Sequence, residues 1–252
     1  RDRPRPGAQA GPVQAVATTS VIGDVVAQVG GEAIALTTLM APGQDPHSYE
    51  PSTADLTLVA QADVIFVNGW DLEEGLVDDL ANIAGGTPLV PVSAGITPLY
   101  LGENAGHEED GASGEEEHQT GAPDPHVWLD PQNVQQWTRN IETVLSALDP
   151  ANTDVYEANA AAYLQELAAL QQYMEETLAP IAPQRRKLVT NHDALAYFAR
   201  RFDFEIVGTV LPAASTLAEP SAQGMVDLVQ KMREAGVCTL SLIHISEPTR
   251  PY

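Results

Sequence analysis

The chain has 252 residues, a hydrophobic fraction of 44%, and 12 Lys+Arg against 35 Asp+Glu, a formal net charge of −23. That length holds two small lobes or one large domain, and the apolar content can fill a core. The charge argues against nucleic acid or an anionic membrane as the main partner. The single Cys238 excludes an internal disulfide and a cysteine-based zinc site, and no run of eighteen apolar residues marks a membrane-spanning helix.

Residues 1–12 are polar and rich in Pro and Gly, and read as a flexible tether. The chain starts at Arg1 without Met, which fits a fragment edge or a mature end. Val13 to Ala17 reads as a first strand. A helix near Val21 to Val29 follows, with Ser20 as its cap. Ala33 to Leu39 is a second apolar run, ending in the loop that carries Asp45-Pro46-His47. Ser52 with Asp55 three residues on opens a helix in the manner of a capping box. Asp63 to Gly69 encloses a short continuous apolar run, as strands buried on both faces of a parallel sheet do. Strands alternating with helices point to an α/β architecture.

Residues 103–122 carry seven acids together with His107 and His118, and read as a solvated, mobile loop. A weak metal-collecting role for these two histidines is the alternative. Asp124-Pro125-His126 repeats the earlier tripeptide. A helix then runs from Asp130 as cap and Pro131 as first residue through Val134, Trp137, Ile141 and Leu145. Asp149-Pro150 interrupts it. A long amphipathic helix from Ala151 to Ala179 would span roughly 40 Å. Lys187 to Thr190 reads as a strand running into His192, Ala194 to Phe202 as a helix, Glu205 to Val210 as a strand, and Ala222 to Glu234 as a helix capped near Ser221.

His47, His126 and His192 each lie in a loop beside an acid, and each is expected just beyond the end of a strand. Neutral imidazole is the commonest metal ligand among side chains. A neighbouring carboxylate can accept the other ring N–H and fix the tautomer. A lone histidine is more often a polar loop residue, but the repeated tripeptide favours one shared site. The separations, 79 and 66 residues, match no local zinc motif, so the fold must assemble the site. Open α/β sheets bind ligands outside the carboxyl ends of their strands. Three nitrogen donors suit zinc better than manganese or magnesium, and do not separate zinc from copper, nickel or cobalt.

Three histidines with an open fourth position also describe a zinc hydrolase or hydratase. That reading needs a general base and a substrate pocket. Glu219 is the available acid, though a loop carboxylate before a helix is its simpler reading. No His-Glu-x-x-His, Gly-x-Ser-x-Gly or phosphate-binding glycine loop occurs. A metal-independent adhesion module would leave the three histidine loops unexplained.

The three histidine segments also carry a resemblance. Residues 42–52, 124–131 and 190–198 resemble, in order, the three ligand loops of the zinc/manganese substrate-binding proteins of bacterial ABC importers. The likeness runs from about Val16 to Gly236. It implies an α/β protein of two Rossmann-like lobes with parallel sheets, joined by a long bridging helix, with a metal cleft between the lobes. It implies His47, His126 and His192 as metal ligands and no catalytic residues. It also implies capture of Zn2+, or less readily Mn2+, and delivery to a membrane ABC permease from a periplasmic or extracellular, membrane-tethered position. A histidine at the third position goes with zinc-type members and a glutamate with manganese-type members. The family's fourth ligand, a carboxylate late in the second lobe, has no matching motif here.

The organisation expected is a tether (1–12), a first lobe (13–149) with the acidic loop 103–122, a bridging helix (150–180), a partial second lobe (181–239) and a tail (240–252). Leu240 to Arg250 resembles the translation of a sequencing-library adapter. A genuine strand is the alternative, since 237–245 is apolar and partly alternating. On the adapter reading native sequence stops near Thr239, His244 is no ligand, and the second lobe is incomplete.

Overall fold

A computed structural model describes residues 11–100, 121–211 and 213–237. Residues 1–10 of the tether, nearly all of the acidic loop and the tail fall outside the described residues.

The first lobe is built on a four-stranded parallel sheet: β1 (Val13–Ala17), β2 (Ile34–Thr38), β3 (Val64–Val67) and β4 (Leu89–Pro91), in the order β2-β1-β3-β4. Strand periodicity sorts the side chains. Val13, Ala15 and Ala17 of β1 join Val64 and Phe66 of β3 in one core, while Val16, Ile65 and Val67 join the other. All four residues of β3 are buried, as its unbroken apolar run requires.

Helices cover both faces. α1 (Ser20–Gly30) buries Ile22, Val25, Val26 and Val29, the i, i+3, i+4, i+7 stripe. Its cap is Thr19, not Ser20: Thr19 is extended and its hydroxyl accepts from Ile22 N, whereas Ser20 is already helical. α2 (Thr53–Gln61) has the expected capping box between Ser52 and Asp55. α3 (Leu76–Ile83) and β4 were not legible. α3 starts at Gly75 with no side-chain cap, and β4 is three residues ending in a proline.

α4 (Pro131–Leu148) is capped by Asp130, whose carboxylate accepts from Gln132 N. α5 (Thr153–Leu178) follows a 3-10 turn over Pro150–Asn152. Trp137 and Tyr156, both fully buried, lock α4 and α5 onto the sheet. Burial on α5 reaches only to Leu167. Farther along, Leu170 and Tyr173 are exposed. At 26 residues the helix is about 39 Å long, so its second half leaves the first lobe.

The second unit has β5 (Lys187–His192), α6 (Ala196–Phe202), β6 (Glu205–Leu211) and α7 (Ala222–Ala235). β5 and β6 pair in parallel with an irregularity between Leu188 and Val189. α7 is capped by Ser221 and packs Leu228 against Gly208, where any Cβ would lie 2.7 Å from the Leu228 side chain. These bounds lie within two residues of those expected, and β5 runs on to include His192.

Candidate metal centre

The order β2-β1-β3-β4 makes the chain reverse direction between β1 and β3. Ligands of open α/β sheets bind at such a switch point, outside the carboxyl ends of the strands. Thr18 and Asn68 directly follow β1 and β3 there, and both meet the buried carboxylate of Glu73. Thr18 Oγ1 donates to Glu73 Oε1 at 2.6 Å and Asn68 N donates to the same oxygen at 2.7 Å. Burial pushes the Glu73 carboxyl up, opposed by the Asn68 and Thr18 hydrogen bonds. The Asn68 amide then reaches across to Pro125 O at 2.9 Å. The second Asp-Pro-His loop is therefore pinned to the switch point.

Each histidine is held by its own local chemistry. In the first motif Asp45 Oδ1 accepts from His47 N at 3.0 Å, an Asx-type turn of the kind Asp favours. Tyr49 Oη donates to Leu39 O and to Asp55, the residue that completes the α2 capping box with Ser52. In the second motif Asp124 Oδ1 accepts from His126 N at 3.0 Å and lies 2.8 Å from His126 Nδ1. A carboxylate only accepts, so in the neutral ring this contact puts the proton on Nδ1 and leaves the lone pair on Nε2. The second unit clamps this loop from outside. Tyr197 Oη donates to Asp124 O at 3.1 Å, and Arg201 pairs with Asp130 at 2.8 Å and bonds Gln132. The third histidine ends β5, where Asp193 N donates to Ala213 O beyond β6.

The three rings converge. His47, His126 and His192 each offer a nitrogen within 4.8 Å of the other two, and all three side chains are buried. His126 Nε2 and His192 Nε2 are 3.2 Å apart. Two nitrogens bound to one zinc at tetrahedral angles lie about 3.3–3.4 Å apart, given bonds of about 2.0–2.1 Å. Burial first, then mutual charge repulsion, lowers the basicity of His47 and His192, the latter to about 4. Burial therefore favours the neutral, coordinating form of His47 and His192. His47 Nδ1 and His192 Nδ1 are buried without hydrogen-bond partners. Core histidines serving only packing would be satisfied. This cluster keeps a desolvated lone-pair surface instead, which an electrophile would stabilise.

One expectation needs correction. Only His192 sits at a strand end. His47 lies nine residues past β2, and His126 precedes a 3-10 turn leading into α4, where the nearest pairing is the bridge of Tyr100 with Pro123. The rings meet because the switch point and α6 fix the loops, not because three strands end together. Glu219 is exposed and lies outside the cluster. Asp193, raised by burial and then by the charge of Asp124, is also outside it. Sequence reasoning missed Glu73, Glu74, Ser215 and Thr216. Gly69 with Trp70, Asp71 and Glu74, all at positive φ, forms a tight loop that no propensity announces.

Comparison with known proteins agrees with this geometry. The family model described as zinc-uptake complex component A, periplasmic (ZnuA), matches residues 15–249. The chain belongs to this ZnuA family. FimA, a metal ABC transporter substrate-binding lipoprotein of Streptococcus parasanguinis, is 31% identical over 96% of this chain and 75% of its own length. PsaA, a manganese ABC transporter substrate-binding lipoprotein of Streptococcus pneumoniae, is 30% identical over 95% of this chain and 74% of its own. The periplasmic zinc-binding protein TroA from Treponema pallidum superposes with a TM-score of 0.77 at 29% identity, over 94% of this chain and 79% of TroA. The α/β architecture of parallel sheets is thus that of the two-lobe solute-binding proteins. ZnuA-family membership places the chain among carrier proteins rather than enzymes, which removes the hydrolase alternative.

Proposed function

We propose that the chain is the extracytoplasmic, membrane-tethered metal-binding component of an ABC importer. It captures Zn2+ between its lobes and hands it to a membrane permease. On this reading residues 13–149 form the first lobe, 150–180 the bridging helix and 181–239 a partial second lobe. His47 and His126 bind from the first lobe and His192 from the second. The observation that carries this reading is the buried convergence of three imidazoles, two with an unsatisfied ring nitrogen. A nitrogen-only donor set favours zinc over manganese.

Manganese is the second reading. The name of PsaA supports it, and so does the Glu74 carboxylate beside His47, since oxygen donors suit manganese. Competition of Zn2+ and Mn2+ for the purified chain at neutral pH decides between them. Zinc is expected to win by more than about 10-fold, in keeping with the affinity order of divalent metals at nitrogen sites. Equal binding, or a preference for manganese, overturns the zinc assignment.

Asp124 supplies a second test. It sets the His126 tautomer, and such orienting groups are worth about 10–100-fold in metal affinity. Asp124→Asn keeps an acceptor oxygen but not its charge. Its zinc dissociation constant is expected to rise by about 10-fold, measured by chelator competition. An unchanged constant means that His126 is not a ligand through Nε2.

A further inference from the structure

The two Asp-Pro-His motifs are identical in sequence but not in use. Asp124 serves His126 twice, accepting from its backbone N–H and facing its ring Nδ1. Asp45 serves His47 only once, at the backbone. Its second oxygen, Oδ2, turns away and accepts from Thr216 Oγ1 of the second unit at 2.5 Å. The His47 ring thus lacks the orienting acid that its twin has. The nearest carboxylate is Glu74: its Oε1 lies 3.5 Å from His47 Nδ1, which has no formed hydrogen bond. A closure of about half an ångström would make one.

The chain goes to some length to aim Glu74 there. Glu74 sits at φ 43°, in a left-handed conformation that glutamate rarely adopts. Glu73 beside it is hooked inward onto Thr18 and Asn68, so the two adjacent acids point to opposite sides of the loop. The aim is then completed from across the cleft. Ser215 Oγ donates to Glu74 Oε1, the oxygen that faces His47, at 2.7 Å. Ser215 and Thr216 therefore grip the two acids that flank His47.

We propose that Glu74 is the positioning residue of His47, doing for this ring what Asp124 does for His126, and that Ser215 of the second unit sets its aim. The inference rests on the reading of the three histidines as metal ligands. Glu74 accepts the Nδ1 proton, directs Nε2 of His47 into the centre, and raises the basicity of that nitrogen. Because Ser215 holds Glu74 only while the two units are together, separation of the units loosens His47. Metal retention is thereby tied to the arrangement of the lobes through a named hydrogen bond, and zinc release quickens when the second unit moves away.

The test uses the full chain loaded with zinc. Chelator-chase kinetics give the zinc release rate, titration gives the stoichiometry, and long-range 1H–15N correlation gives the His47 ring shifts. Glu74→Ala is expected to speed zinc release by about 10–100-fold with one zinc still bound per chain. His47 should lose the Nδ1 hydrogen-bond signature. Glu74→Gln, which retains an acceptor oxygen, should fall between Ala and the parent. Ser215→Ala should speed release by several-fold, about 3- to 10-fold, and should have no added effect on Glu74→Ala. Glu74→Gly separates positioning from folding, since glycine adopts φ 43° freely. It should unfold no earlier than Glu74→Ala yet release zinc as fast. Parental release rates and His47 shifts in Glu74→Ala overturn the inference. A parent chain that binds no zinc overturns the reading beneath it instead.

Discussion

His192→Ala is expected to weaken zinc binding by more than about 100-fold, because removing a ligand must exceed the 10–100-fold cost of disturbing a group that merely orients one. His192 is the informative position for three reasons. Its Nε2 lies 3.2 Å from that of His126, so its loss removes half of the tightest donor pair. Among the described residues it is the one histidine of the cluster that the second unit supplies, so its loss also uncouples metal binding from the lobe arrangement. Its Nδ1 has no partner, so truncation strands no buried acid. His126→Ala is less clean, since it leaves Asp124, whose side chain is 1% exposed, without its ring partner. Leaving a buried acceptor without its donor costs about 1–3 kcal/mol, more for a charged one, and confuses affinity with folding. Calorimetric titration of His192→Ala with zinc, beside an unfolding curve, makes the measurement. Binding within a factor of a few of the parent would remove His192 from the site.

Much of this molecule was legible in its sequence, for identifiable reasons. Elements with a chemical start signal came through: the Ser52/Asp55 capping box of α2, Asp130-Pro131 at the head of α4, Ser221 before α7. The Val64–Val67 strand came through because four consecutive buried residues are read as easily as four consecutive apolar letters. α3 was lost because its start is a glycine turn without a cap, and its apolar positions follow directly on two acids. Of the three clustered histidines, His47 and His126 stood out because a repeated tripeptide is a local signal, and His192 because it follows the apolar run Leu188-Val189. Their surroundings did not. Glu73 reaches residues that are 5 and 55 positions away, and Ser215 reaches one 141 positions away. Such pairings exist only once β1 and β3 have placed their ends side by side and α6 has brought the second unit against the Asp124 loop. The strand-end rule also misled for His47 and His126. It locates the crevice of an α/β sheet, but not which turn of a long loop will fill it.

Acid is expected to destabilise the metal-free protein, over a window set by its histidines. His192 is held neutral by burial and by its ring neighbours, down to about 4, and His47 is shifted in the same direction. In the unfolded chain both return to about 6.5. The unfolded state therefore takes up protons first as pH falls, and stability follows the difference in bound protons. The contribution is complete above about pH 6.5. It is lost progressively below that, and the loss levels off for His192 near its folded value of about 4. A shift of this size corresponds to about 3 kcal/mol at most from His192, a large share of a typical domain stability of about 5–15 kcal/mol. A metal bound at this centre is expected to raise the curve without removing the window, since metal binding favours the folded state with its imidazoles deprotonated. Urea unfolding of the metal-free chain at a series of pH values between about 7 and 4 measures the effect. The His192→Asn variant, with no ring to protonate, should show a shallower decline across the same range. A parent profile that stays level to pH 4, or one that His192→Asn leaves unchanged, would show that the His192 ring is not held neutral and that the centre is wetter than its burial indicates.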